Sequence, residues 1–155
     1  MKNDTTTELE PIEALARHLE CEVDDLSEER HECYGLTVFS HGGAEYAVGT
    51  DDEAKSACED SIEQSAWAFN ADFICGQCNL PFELSEALKA WQEKECESAN
   101  DAIVELIEKH CPGGMRGSHS FSEDAMEADG RGHFLASYDG DEIELDGDFY
   151  AFRIN

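Results

Sequence analysis

The chain of 155 residues carries 37 Asp and Glu against 10 Lys and Arg, a formal net charge of −27 with a sequence pI near 4.2. That balance excludes direct nucleic-acid binding, where affinity comes from Lys and Arg displacing counterions from phosphates, and it opposes docking on an anionic membrane. No apolar run approaches the ~20 residues that span a bilayer, and the polar, acidic stretch Met1–Leu19 is not expected to act as a secretory leader.

Residues 1–8 read as a flexible polar lead to a single acidic α+β domain over 9–155. Leu9, Ile12, Leu15, Ala16 and Leu19 recur at three and four, the period of an amphipathic helix that stops near Glu20 to Glu22. Val23 to Glu32 offers only Val23 and Leu26 as apolar anchors, so a loop or one short helical turn is expected there. Tyr34–Ser40 and Ala44–Gly49 are β-rich runs, and His41-Gly42-Gly43 between them supplies the positive φ of a tight hairpin turn.

Thr50 followed by Glu53 is a capping box that starts a helix. Ala54, Ala57, Cys58, Ile62, Ala66 and Phe69 mark its apolar face, and Asp52, Ser56, Glu59 and Glu63 an acidic stripe opposite. Asn70–Asn79 reads as a short helical turn. Ser85 then caps a long helix in which Leu88, Cys96, Ala99, Ile103 and Leu106 keep a heptad-like register beside Trp91; Asn100-Asp101 is an alternative cap that would make two helices. A glycine-rich loop and a helical turn at Ser122–Ala128 come next. The end reads as a meander of His133–Tyr138, Glu142–Leu145 and Phe149–Ile154, joined by Asp139-Gly140-Asp141 and Asp146-Gly147-Asp148. In its middle strand Glu142 and Glu144 face away from Ile143 and Leu145. The sum is an N-terminal helix, a β-hairpin, a helical middle and a C-terminal three-stranded antiparallel meander, with one sheet backed by helices.

The 41% apolar content and 14 aromatics are enough for a real core, so the acid coexists with a fold. The net charges of residues 1–33, 34–75, 76–111 and 112–155 are −8, −7, −5 and −7. The charge is therefore a coat and not a detachable tail. Seven cysteines at irregular spacings read as reduced thiols, which argues against halophilic adaptation, where cysteine is scarce.

Four motifs invite chemistry. Cys75-Gly76-Gln77-Cys78 has the spacing of a zinc pair but no second pair; Cys96, His110 and Cys111 are the remaining ligands. Asp139–Tyr150 repeats oxygens like a calcium loop, yet Ile143, Glu144 and Tyr150 stand where that loop needs an oxygen ligand, a glycine and a glutamate. Pro112–Ser120 lacks the Gly-Lys-Ser/Thr ending of a phosphate loop, and Cys111 with His110 or His119 lacks an orienting third group for thiol catalysis. Arg131, His133 and Asp139 form either a small polar site or, as the residue types favour, a structural strand entry with Arg131 paired to local acids. No cofactor is expected, and no enzyme.

The segments EYAVGTDDEA at 45–54, SAWAFNADFI at 65–74 and ADGRGHFLASYDGDE at 128–142, with the closing YAFRIN, resemble a group of small acidic proteins encoded by phages and mobile elements, mostly without assigned activity. The resemblance spans roughly residues 9–155 and implies expression in a host bacterial cytoplasm; it brings no catalytic residues. By composition alone the chain is similar to DNA-mimic antirestriction and anti-CRISPR proteins. The expected function is inhibition of a basic host nucleic-acid-binding protein, with carboxylates occupying the groove that DNA or RNA would enter. Asp52, Glu59 and Glu63 on the capped helix and Glu142 and Glu144 on the meander are the expected partner-binding residues. The alternatives are a phage accessory protein that binds a host factor by shape complementarity, and a small metal-binding enzyme built on the Cys and His residues.

Overall fold

The computed structural model describes residues 9–155; the expected lead at 1–8 lies outside them. The described chain forms two compact units, one of residues 9–58 with 129–155 and one of residues 59–128.

The first unit is built on a sheet. Its leading helix α1 (Pro11–Leu19) has Pro11 in the first turn, where a missing N–H costs nothing, and Glu13 Oε1 accepts from the Glu10 N–H at 2.8 Å. Glu20 closes it in the left-handed conformation, φ 56°. After a 3-10 turn at Val23–Asp25 come β1 (Ser27–Cys33), β2 (Leu36–His41) and β3 (Ala44–Thr50), and the chain returns with β4 (Glu142–Leu145) and β5 (Phe149–Arg153). All neighbours are antiparallel in the order β1-β2-β3-β5-β4. Ala14, Leu15 and Ala16 of α1 pack on Phe39, Tyr46, Val48, Leu145 and Ala151, which share one face of the sheet. The other face carries Leu36, Val38, Ala47 and Phe152, all buried.

The β2–β3 hairpin forms as expected, with His41 opposite Ala44 and both intervening glycines at positive φ. Two expectations fail. Ser27–Cys33 is a strand, not a loop: its sequence SEERHEC has no apolar alternation, and its pairing with β2 is interrupted by a bulge between Glu28 and Glu32. Backbone hydrogen bonds to β2 recruit it, joined by the Ser40 hydroxyl on Glu29 at 2.7 Å and by His31 3.8 Å from Glu45, and its charges suit an edge, where unpaired amides would otherwise template aggregation. At the other edge, the expected three-stranded meander is a two-stranded hairpin. His133–Tyr138 is not a strand; Arg131–Leu135 forms a short helix, α7, after Gly130 at φ 85°. Local β propensity there yields to tertiary contact, because the glycine at 132 lets α7 sit directly on the backbone of residues 140–142. The Tyr138 N–H donates to Arg153 O at 3.1 Å, the Arg153 guanidinium lies 3.7 Å from the Tyr138 ring centroid, and the Ser137 hydroxyl donates to Ile154 O at 3.1 Å.

Helix α2 (Asp51–Gln64) starts in the first unit and ends in the second. The second unit continues through a 3-10 turn at Ala66–Ala68, α3 (Ala71–Gln77), α4 (Leu84–Glu95), a 3-10 turn at Cys96–Ala99, α5 (Asn100–His110) and α6 (Phe121–Asp129). Asn70 caps α3 by accepting from the Asp72 and Phe73 N–H groups at 2.8 and 3.2 Å. Asn100 accepts from the Trp67 N–H at 3.0 Å and donates to Glu63 O at 2.9 Å, so it ties the start of α5 to the end of α2. Phe121, fully buried, meets Phe69 and Phe73 edge-on, with centroids 5.1 and 5.3 Å away.

The heptad-like register from Leu88 to Leu106 does not survive as one helix. Cys96 takes φ 51° and ψ −132°, which ends α4 and turns α5 out of its register. Ala99, Ile103 and Ile107 are buried at and along α5, whereas Trp91 on α4 is exposed.

Candidate functional site

The capping box at the start of α2 forms as expected. The Thr50 N–H donates to Glu53 Oε1 at 2.9 Å and the Glu53 N–H to Thr50 Oγ1 at 3.2 Å. It fixes the first turn so that Asp51, Asp52 and Glu53 sit at the positive end of the helix dipole, where three carboxylates are tolerated together.

Arg131 gathers the acids of this unit. Its Nη1 lies 2.8 Å from Asp51 Oδ1 and its Nε 2.7 Å from Glu142 Oε1, while Nη1 also donates to Asp51 O at 3.2 Å. The guanidinium carbon stands 4.8 Å from the Tyr150 ring centroid. Burial pulls the Arg131 pKa down, but hydrogen bonds to Glu142 and Asp51 outweigh it and leave it above its ordinary value. One cation thus joins the starts of α2, α7 and β4. Asp52, next to Asp51, and Glu144, two residues beyond Glu142, belong to the same neighbourhood, as do Asp139 and Asp141 in the turn under α7. Strand register places Glu142 opposite Phe152 and Glu144 opposite Tyr150, on the sheet face away from α1.

In the second unit the acidic stripe of α2 anchors a loop. Arg116 Nε is 3.1 Å from Glu63 Oε1, its Nη2 bonds Asp60 Oδ1, and Glu59 Oε2 accepts from the Gly117 N–H at 3.2 Å. The glycine-rich stretch read from sequence as solvated is therefore pinned to α2 by three carboxylates.

The five expected partner-binding residues divide accordingly. Glu142 is paired with Arg131, Glu63 with Arg116, and Glu59 with a backbone amide. Asp52 and Glu144 are exposed and make no side-chain hydrogen bond or ion pair among the described residues. Arg131 fits the structural reading: it pairs with local acids, and the exposed His133 packs its ring edge-on against Phe134 at 4.9 Å instead of joining it. What sequence missed is that Arg131 and Asp51 meet across 80 positions; neither residue's neighbours signal this.

The coat is nearly unneutralised. Asp4 and Glu8 lie outside the described residues, leaving 35 of the 37 acids, and none of these is buried. Among them only Asp51, Asp60, Glu63, Glu142 and Asp146 reach an arginine.

Cys75 and Cys78 are buried at the end of α3, and Cys111 is buried after α5. Burial, with smaller contributions from Cys111 and Cys75, pushes the Cys78 thiol up to about 11; Cys75 and Cys33 are also raised by burial. The folded protein holds these protons where the unfolded chain releases them. The stabilising contribution of Cys78 is complete below the ordinary thiol range, near 9, and is lost as pH rises through about 11. The urea midpoint is expected to fall across that window, and Cys78→Ala, whatever its constant offset, to flatten the fall.

Among the described residues one group of three brings metal-capable atoms within 4.8 Å of one another, and it contains no cysteine: Glu29, His31 and Glu45. His31 Nε2 lies 3.8 Å from Glu45 Oε1, and the Ser40 hydroxyl donates to Glu29 Oε2 at 2.7 Å. A cavity of about 530 Å³ in the second unit is lined by Trp67, Asp72, Ser85, Lys89, Gln92 and Cys96, among others. Its inner polar groups satisfy one another, for Ser85 donates to Asp72 and Gln92 to the carbonyls of Trp67 and Phe69. No helix among the described residues is long and apolar enough to cross a membrane.

Comparison of the chain with protein-family models, with characterised proteins and with solved structures finds no match.

Proposed function

We propose that this protein is a phage-encoded anti-defence inhibitor that occupies the nucleic-acid-binding groove of a basic host protein, such as a CRISPR effector or a restriction nuclease. The observation that carries this reading is the coat: 35 described carboxylates, none buried and only five met by arginine, held on an ordered α+β scaffold. Such a surface has a cost, since like charges repel across it, and a cationic groove is the partner that would relieve that repulsion. Of the five expected contact residues, Asp52 and Glu144 are the ones free to make the contact, and Glu142 and Glu144, on alternate strand positions, stand roughly 6.6 Å apart along the backbone.

The test is plating of a restricted phage on cells that carry a restriction or CRISPR system and express the protein. Plating is expected to rise with the wild type and to fall by at least ~tenfold with Asp52→Asn combined with Glu144→Gln. In vitro, displacement of DNA from the purified nuclease should weaken steeply from ~50 to ~200 mM salt. If the double variant protects phage as well as the wild type, mimicry by these residues is wrong. The second reading, a phage accessory protein that binds a host factor by shape, is favoured by one observation: Phe82, Leu84 and Trp91 are exposed together in the second unit.

A further inference from the structure

The two buried residues of α4 are polar, with Leu88 half-buried between them. They are Ser85 and Gln92, seven residues apart and so on one side of the helix. Both are satisfied there, Ser85 by Asp72 and Gln92 by the carbonyls of Trp67 and Phe69 at 2.9 and 2.7 Å. One line of the helix's exposed positions is apolar, beside exposed Glu86, Lys89, Glu93 and Lys94. Leu84 is 47% and Trp91 38% exposed, Ala87 between them is exposed, and Phe82, just before the helix, is 74% exposed. Leu84, Ala87 and Trp91 recur at three and four, the spacing of a helical contact face. Single exposed apolar residues are ordinary, but an aligned set that includes Leu and Trp, with Phe82 exposed just before it, marks an interaction surface.

The charge around this strip identifies what covers it. By helical spacing Glu83 and Glu95 flank the strip, Lys94 continues it one turn beyond Trp91, and residues 59–128 together carry a net −11. A second copy would set these acids against their own duplicates, and an anionic lipid surface would be repelled likewise. A segment that offers both apolar anchors and cations matches the strip and its surroundings at once. We propose that the outer face of α4, formed by Phe82, Leu84, Ala87 and Trp91, docks an amphipathic helix of a cationic partner protein. Two helices packed face to face would bury the apolar side chains at their crossing and leave the partner's Lys and Arg beside the glutamates. This rests on the shape-complementarity reading and is independent of mimicry, which needs only carboxylates.

The probe is a fluorescein-labelled peptide of about 18 residues, five helical turns, made of leucine and lysine with leucines at helical spacing. Its binding is followed by anisotropy at physiological salt. The wild type should bind it. Leu84→Ser combined with Trp91→Ser should weaken binding at least ~tenfold while circular dichroism at the assay temperature shows the helices retained; the thermal midpoint is expected to fall somewhat, because Leu84 and Trp91 are only 47% and 38% exposed. A peptide of the same composition, scrambled to destroy its apolar face, should bind the wild type no better than the intact peptide binds the double variant. Asp52→Asn with Glu144→Gln should leave peptide affinity within about twofold, so loss of mimicry and loss of docking register separately. Equal binding of the scrambled peptide, or unchanged affinity of the double variant, would overturn the proposal. So would a wild-type dimer in sedimentation that the double variant disperses, or partitioning into phosphatidylcholine vesicles without peptide binding.

Discussion

Gly132→Ala is expected to destabilise the sheet-bearing unit by about 3 kcal/mol or more, a large effect for one added methyl. A Cβ at 132 would fall 2.4 Å from Gly140 O, 2.7 Å from Glu142 N and 2.9 Å from Asp141 C. These are backbone atoms, which cannot rotate aside as the end of a side chain can, so α7 or the 139–142 turn must shift. Either shift separates Arg131 from Glu142 and with it the ion pair to Asp51. Gly140→Ala is the control. Gly140 has φ 77° and open space around its Cβ position, so its substitution costs only the left-handed penalty of about 1–2 kcal/mol. Urea unfolding of both variants checks the ranking; equal midpoints would show that α7 does not bear on the turn.

Phe121→Ala should cost about 3–5 kcal/mol in the helical unit. The ring is fully buried and completes an edge-to-face set with Phe69 at 5.1 Å, 62° and Phe73 at 5.3 Å, 68°. Its removal leaves a cavity bounded by two rigid rings, and it forfeits aromatic contacts worth about 0.5–1.5 kcal/mol per pair beyond area. Phe121→Leu should restore part of the volume and about half of the loss. Amide exchange localises the effect: protection is expected to drop in α3 and α6. If Leu proves as damaging as Ala, ring geometry and not volume dominates there.

How far the sequence was legible depends on the type of signal. The α1 period, the Gly42-Gly43 hairpin and the Thr50–Glu53 box are set by residues within four positions of one another, and all of them form. β1 was illegible because SEERHEC contributes little beyond backbone amides, and nothing local announces an edge strand recruited by a neighbour. The 133–138 stretch misled because HFLASY favours a strand locally while Gly132 admits a backbone contact that only the fold supplies. Of the five expected contact residues, sequence identified the charges but not their bonds. Arg131 and Arg116 reach Glu142 and Glu63 across 11 and 53 positions, and the latter distance lies beyond any periodicity argument.

Composition and local pattern by themselves determined that this chain is acidic throughout, folds as α+β, and begins and breaks several of its elements where it does, because those properties depend on residue type and on neighbours along the chain. Tertiary structure alone decided which carboxylates are spent on arginines and which, like Asp52 and Glu144, remain free, because pairing needs side chains brought together from distant positions. It also decided the face α4 presents. The break at Cys96 ends the heptad-like register, and the bonds of Ser85 to Asp72 and of Gln92 to the carbonyls of Trp67 and Phe69 seal those two residues inside and leave Trp91 exposed.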